Sequence, residues 1–149
     1  MEKLFWSIAL PGFGQLLNGQ LFKGFVLIAL EFLVNVKAHF NMAILLSFHG
    51  DTQSAAATVD YGWLMFYPCL YFFAMWDAFR NSGRQMASYT FLPFAFSAFF
   101  VTVGLIYSNT FRIAGTLLGP VWFPMLCVLP GVGVGLMLRK VCTKWSARG

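Results

Sequence analysis

Three segments of this chain run for about twenty residues each with almost no charge, and they constrain the fold more than any other feature. They cover residues 61–79, 89–108 and 119–138, and the one charged residue among them is Asp77, near the end of the first. A helix of about 20 residues crosses the hydrocarbon core of a bilayer, which is roughly 30 Å thick. The segments therefore predict an all-α integral membrane protein.

A fourth apolar run covers residues 21–36 and carries Lys23 and Glu31. Because the run extends through residues 38–48, it predicts a long, tilted first span. The connections between the runs are short and polar, and nothing marks a second domain. We expect a single membrane domain over residues 1–149 with about four spans, at 21–48, 61–79, 89–108 and 119–138, and a basic cytoplasmic tail at 139–149.

The composition supports this class of protein. The residues AVILMFWYC make up 59% of the chain and DEKR only 10%, whereas a soluble domain has about 45–50% apolar and about 25% charged residues. These proportions exclude a soluble globular enzyme, a disordered chain and a fibrous repeat. The three cysteines are too few and too widely spaced for a disulfide framework or a metal site, so we expect no metal and no cofactor.

The basic residues predict the orientation. Four spans place both termini on the same side, and cytoplasmic loops carry the excess of Lys and Arg. With both termini inside, seven of the ten basic residues are cytoplasmic: Lys3, Arg80, Arg84, Arg139, Lys140, Lys144 and Arg148. Because these residues lie mostly at the ends of apolar runs, they predict contact with anionic lipid headgroups rather than with nucleic acid.

The N-terminal segment, residues 1–20, is apolar at first but is interrupted early. The apolar run before Pro11 and Gly12 has only seven residues, 4–10, and seven helical residues reach roughly 10 Å, a third of the bilayer core. No cleavage site for a signal peptide follows them. We expect a retained segment that is either re-entrant or interfacial.

The turn in this segment combines helix breakers with amide side chains. Broken helices are where transporters build binding sites, and they also allow helices to pack closely while amides cap the freed backbone groups. Both interpretations stay open. We expect residues 11–14 to be non-helical, and Gln15 or Asn18 to bond backbone groups near the start of the first span. The turn residues are Pro11, Gly12, Gly14, Gln15, Asn18, Gly19 and Gln20.

The pattern P-G-x-G-Q-x-x-N-G-Q-x-x-K-G over residues 11–24, followed by a hydrophobic helix, resembles a family of small, mostly bacterial membrane proteins. This is the family named for its two-transmembrane-helix domain, and residues 76–80 (WDAFR) are similar to the Asp-containing end of its second helix. The first helix is too short here, and Gln15, Leu17 and Asn18 replace the family's turn residues. The resemblance covers about half the chain, and it implies a fold and a location in a cell membrane, the bacterial cytoplasmic membrane, more than an activity.

Two groups of polar residues accompany the apolar runs. Glu31, Asn35 and His39 recur at intervals of four, so they share one face of a helix. This intramembrane stripe is either a proton or cation relay or an interhelical hydrogen-bond clamp, with Ser97 or Thr102 as the candidate partner. At the end of the second span, Asp77 and Arg80 are spaced for an ion pair, and Arg80 with Arg84 could hold a lipid phosphate.

A second L-P-G-x-G pattern, at residues 129–133, marks either an internal repeat of the N-terminal turn or a proline kink in the fourth span. In the latter case its glycines would admit a neighbouring helix.

The sequence lacks the catalytic motifs G-x-S-x-G and H-E-x-x-H, and it lacks a P-loop. We therefore expect a non-enzymatic interaction or assembly subunit in the membrane, bound to lipids and forming a homo-oligomer or part of a larger complex. One alternative is a transporter or channel protomer that uses Glu31 and the broken segment 10–20. Another is a lipid-acting enzyme or scramblase.

Overall fold

The computed structural model describes residues 2–82 and 87–146, with side chains from residue 5 onward, and it is mostly helical. Two short strands form an antiparallel hairpin between the last two helices. The elements, in chain order, are α1 (Glu2–Ala9), α2 (Phe13–Leu17), α3 (Leu21–Lys37), α4 (Phe40–Phe48), α5 (Thr52–Thr58), α6 (Tyr61–Leu64), α7 (Phe66–Arg80), α8 (Leu92–Tyr107), β1 (Arg112–Ile113), β2 (Thr116–Leu117) and α9 (Gly119–Ser146).

The N-terminal break lies at Pro11 and Gly12, between α1 and α2. Gly12 has φ +103°, a left-handed conformation that a residue with a Cβ rarely adopts. A Cβ there would lie 2.6 Å from the carbonyl oxygen of Gly24, so the turn packs directly on α3. The predicted break is confirmed at these two residues. It is wrong at Phe13 and Gly14, which begin α2.

Residues 21–48 form two helices, so the prediction of one long helix is wrong. α3 ends at Lys37, and His39 has φ +53°. A left-handed residue cannot continue the α-helical hydrogen-bond ladder, so the chain changes direction before α4. The carbonyl freed at Ala38 accepts a hydrogen bond from the N–H of Asp60, at 3.2 Å.

The longest helix is α9, with 28 residues. It continues through residues 139–146, which we expected to be a separate tail, and Pro130 does not interrupt it. The second L-P-G-x-G pattern therefore does not repeat the broken N-terminal turn. A Cβ at Gly131 would lie 2.7 Å from the Cα of Ser97, and one at Gly135 would collide with Pro93. These glycines admit α8 as a close neighbour.

Among the described residues, α9 alone is both long and apolar enough to cross a membrane, with a mean hydropathy of 2.0 over its most apolar part. Only 22% of that part is buried in the molecule, unlike the core helix of a soluble protein. Helix α8 is also apolar but shorter, with 16 residues. The apolar, outward-facing surface of α9 supports membrane association.

A core of small and aliphatic residues forms where α4, α5, α6 and α8 meet, and we call it the small-residue core. Two hydrogen bonds attach α9 and its hairpin beside it. The Trp122 indole donates to the Ser47 carbonyl at 3.1 Å, and the Thr52 hydroxyl donates to the Leu117 carbonyl at 2.6 Å. The members of the core are Ala38, Ala43, Ala55, Val59, Leu64 and Leu105.

Candidate functional site

The most strongly connected polar group in the described part of the chain is the carboxylate of Asp77, on α7. Asp77 is only 6% exposed. Its Oδ1 lies 2.9 Å from Lys23 Nζ and 3.2 Å from Asn81 Nδ2, and its Oδ2 lies 3.1 Å from Gln15 Nε2. Three donors from separate elements thus converge on one buried carboxylate, and we call Gln15, Asn18, Lys23, Asp77 and Asn81 the Asp77 cluster.

Helix α2 places two amides of this cluster along α7. Gln15, which is fully buried, donates from Nε2 to the Ala74 carbonyl at 2.8 Å. Asn18 donates from Nδ2 to the Ala78 carbonyl at 3.0 Å. These carbonyls are one helical turn apart, and the two alanines are themselves buried, so the turn approaches the α7 backbone closely. The expectation that these amides bond near the start of the first span is wrong, because they bond α7 instead.

The same turn buries oxygens that have no hydrogen-bond partner among the described residues. They are Gln15 Oε1, Asn18 Oδ1 and Gln20 Oε1. The orientation of the Gln15 amide follows from its surroundings, because both neighbours of Nε2 are acceptors. Such buried acceptors suit a hydrogen-bond donor or a small cation. The ion pair between Lys23 and Asp77 balances the charge of the cluster.

The predicted pairing of Asp77 with Arg80 is wrong. The Asp77 carboxylate turns inward to Lys23, whereas Arg80 is exposed at the end of α7. The Arg80 guanidinium carbon lies 5.2 Å from the ring centre of Trp76, within the range of a cation–π contact. Arg84, the other predicted phosphate ligand, lies outside the described residues.

The predicted polar stripe does not converge on one partner. The Tyr67 hydroxyl on α7 donates to the Glu31 carboxylate at 3.3 Å, and Asn35 Oδ1 accepts from the N–H of Asn41 at 3.2 Å. His39 occupies the break between α3 and α4, so it leaves the helical face.

Glu31 is therefore an interhelical contact, but its partner is Tyr67 and not the Ser97 or Thr102 that we named as candidates. The Thr102 hydroxyl donates to the Ala98 carbonyl of its own helix at 2.8 Å. The Ser97 hydroxyl has no partner among the described residues.

Sequence reasoning missed Lys23 and Asn81 as partners of Asp77. One signal for Lys23 was present, because it is the one basic residue of the run 21–36 and Asp77 is the one charged residue of the run 61–79. Charges in such runs usually pair with one another.

Two apolar cavities lie beside α7. The central crevice, of about 550 Å³, runs between α4, α7, α8 and α9, and its lining includes Phe40, Tyr67, Tyr71 and Met125. The α7–α8 groove, of about 450 Å³, is lined mainly by aromatic residues and alanines of these two helices. Cavities of this size and character suit apolar ligands or alkyl chains.

Within the described ranges, no three His, Cys, Asp or Glu side chains come together to hold a metal ion. Comparisons with protein-family models, curated proteins and solved structures find no match to this chain.

Proposed function

We propose that this chain is a small multi-pass membrane protein that acts as an interaction or assembly subunit within the bilayer. The observation that carries this proposal is the distribution of polarity. Asp77 and Gln15 are buried inside the molecule, whereas large apolar side chains cover its surface, with Phe22 85% and Leu129 72% exposed. An apolar surface this extensive is typical of contact with lipid or with other membrane helices.

The helix lengths support four spans. At 1.5 Å per residue, α3 is about 26 Å long, α6 with α7 about 30 Å, α8 about 24 Å and α9 about 42 Å. Each of these helices is therefore long enough to cross most or all of the apolar core of a bilayer, which is roughly 30 Å thick. In this arrangement α1 and α2 form a re-entrant or interfacial segment, and the excess of basic residues places both termini in the cytoplasm.

One observation connects the resemblance to the two-transmembrane-helix family with this proposal. Residues 11–24 and 76–80, which carry the resemblance, lie in contact through the Asp77 cluster. Their contact supports the view that the two motifs form one structural unit of a bacterial cytoplasmic-membrane protein.

Site-specific photo-crosslinking in native membranes tests the proposal. A photoreactive phenylalanine analogue at Phe22 or Leu129, both exposed, should yield crosslinks to a second copy or to another membrane protein. The same analogue at Leu64, which is 1% exposed, is the matched internal control. Release of the protein by alkaline carbonate, or crosslinks that are no stronger at the exposed positions than at Leu64, would contradict the proposal.

Cysteine labelling tests the topology independently. A cysteine in residues 51–60 should react with an impermeant reagent added to intact cells, whereas Ser146→Cys should not. Labelling of Ser146→Cys from outside would contradict the placement of the C-terminus in the cytoplasm.

The unpaired amide oxygens at the N-terminal turn favour a second candidate, a transporter or channel protomer. Buried acceptors at a broken helix are the kind of group that coordinates ions in transporters. Cation flux into proteoliposomes that is abolished in a well-folded Glu31→Gln variant would favour this candidate. Flux equal to that of empty liposomes would leave the assembly subunit as the better proposal.

A further inference from the structure

We propose that the α7–α8 groove binds one anionic phospholipid, with its phosphate on Arg80 and an acyl chain in the groove. The proposal rests on the membrane location proposed above and gives a specific role to one face of the molecule. It follows from the shape of the groove, the contacts of Arg80 and the distribution of charge around both.

The groove is built to accept an alkyl chain. Phe73 and Trp76 of α7 face Phe94, Ala95 and Ala98 of α8 across a volume of about 450 Å³. The alanines leave room where larger residues would close the groove, and the aromatic rings supply apolar walls. Ligand sites span about 300–1,000 Å³, so the groove has the size for part of a lipid.

Arg80 lies over Trp76, one of the residues that line the groove, and no carboxylate among the described side chains pairs with it. It follows Trp76 by one helical turn, and the contact with the indole ring holds its guanidinium in place. Asp77, the nearest acid along the helix, is engaged by Lys23, and this is the one ion pair among the described side chains. The guanidinium therefore keeps its N–H groups for a phosphate, which it can bind through two parallel hydrogen bonds.

Charge complementarity selects the occupant. None of the side chains that line the groove is charged, so the Arg80 guanidinium over Trp76 places a positive charge beside an apolar groove. A partner helix would fill the apolar part but would leave this charge unmatched. An anionic phospholipid matches both parts, because its phosphate lies at the headgroup level where basic residues end a span.

Native mass spectrometry of the full chain released from detergent tests the assignment. The probes are phosphatidylglycerol and phosphatidylcholine, added at the same concentrations. We expect one phosphatidylglycerol to remain bound preferentially, and we expect Arg80→Gln to weaken that binding about tenfold. Ala95→Trp, which fills the groove, should weaken it similarly. Arg112→Gln removes an exposed arginine from β1 and is the matched control, so it should bind like the unmodified chain.

Several results would overturn the proposal. These are equal retention of the two lipids, an Arg112→Gln effect as large as that of Arg80→Gln, or unchanged binding in the properly folded variants. Displacement of the lipid by glycerol phosphate alone would also overturn it, because the acyl chain would then contribute nothing. Carbonate extraction separates the two proposals. If the variants bind lipid as the unmodified chain does and the protein resists carbonate extraction, only the lipid site is contradicted. If carbonate releases the protein, the membrane function is contradicted.

Discussion

The two ends of the molecule are held together by different physical means. At one end, the Asp77 cluster joins α2, α3 and α7 through charged and amide hydrogen bonds. At the other end, the small-residue core joins α4, α5, α6 and α8 through close apolar packing. The comparison teaches that the polar groups of a broken helix need hydrogen-bond partners, whereas helices with small apolar side chains associate by packing closely against one another.

The largest expected loss of stability comes from a substitution in the turn that supports the Asp77 cluster. Gly12→Val places a β-branched residue at φ +103° and a Cβ against the Gly24 carbonyl. Backbone strain and overpacking together should lower the free energy of unfolding by about 3–5 kcal/mol. Gly104→Ala is the comparison, because its Cβ would lie 2.8 Å from the Cys127 Sγ and 3.1 Å from the Pro124 Cα, but at a helical φ that alanine readily adopts. Unfolding in mixed micelles measures both, and an equal or larger loss for Gly104→Ala would contradict the ranking.

The next effect addresses the charge at the centre of the cluster. Asp77→Leu removes the acceptor of three donors, and we expect a loss of about 3 kcal/mol, since Lys23 is partly exposed and regains water. A double-mutant cycle with Lys23→Met isolates the ion pair. The two losses should be less than additive, because either change alone breaks the same contact. Strict additivity would show that Lys23 does not stabilise Asp77.

A smaller effect is expected at the small-residue core. Ala55 is fully buried in α5, so Ala55→Leu should overpack the core and cost about 1–3 kcal/mol. Ala57→Leu, at an exposed position of the same helix, is the control and should have little effect. Unlike the loss from Asp77→Leu, the Ala55→Leu loss should not change with salt concentration. Equal unfolding free energies for the two leucine variants would contradict close packing at this end.

The smallest effect concerns the start of α5, beside the small-residue core. Asp51 caps this helix, and hydrogen bonds from Ser54 lower the pKa of its carboxyl below the ordinary 3.8. Because the folded pKa is the lower one, the stabilisation is present above about pH 4 and is lost as pH falls through the folded pKa. Hydrogen exchange of the α5 amides should therefore lose protection at low pH in the unmodified chain. It should not do so in Asp51→Asn, which caps without titrating.

Two predictions, the N-terminal break and the partner of Asp77, differ in how much of them the sequence could determine. The N-terminal break was predictable, because the absence of an N–H in Pro11 and the conformational freedom of Gly12 act within a few residues. The partner of Asp77 was not. Arg80 was the nearest suitable cation along the helix, but Lys23, 54 residues away, holds the carboxylate. Sequence spacing ranks local partners, and it carries no information on which helices become neighbours.

The sequence by itself determined that helical segments lie within about residues 61–79, 89–108 and 119–138, their apolar character and the position of the N-terminal break, because hydropathy and backbone preference are local properties. The tertiary structure alone decided the left-handed break at His39, the pairing of Asp77 with Lys23 and the meeting of Glu31 with Tyr67. These features depend on contacts between segments far apart in the chain. Such contacts form only after the helices have packed, because the packing decides which partners lie within reach of a buried polar group.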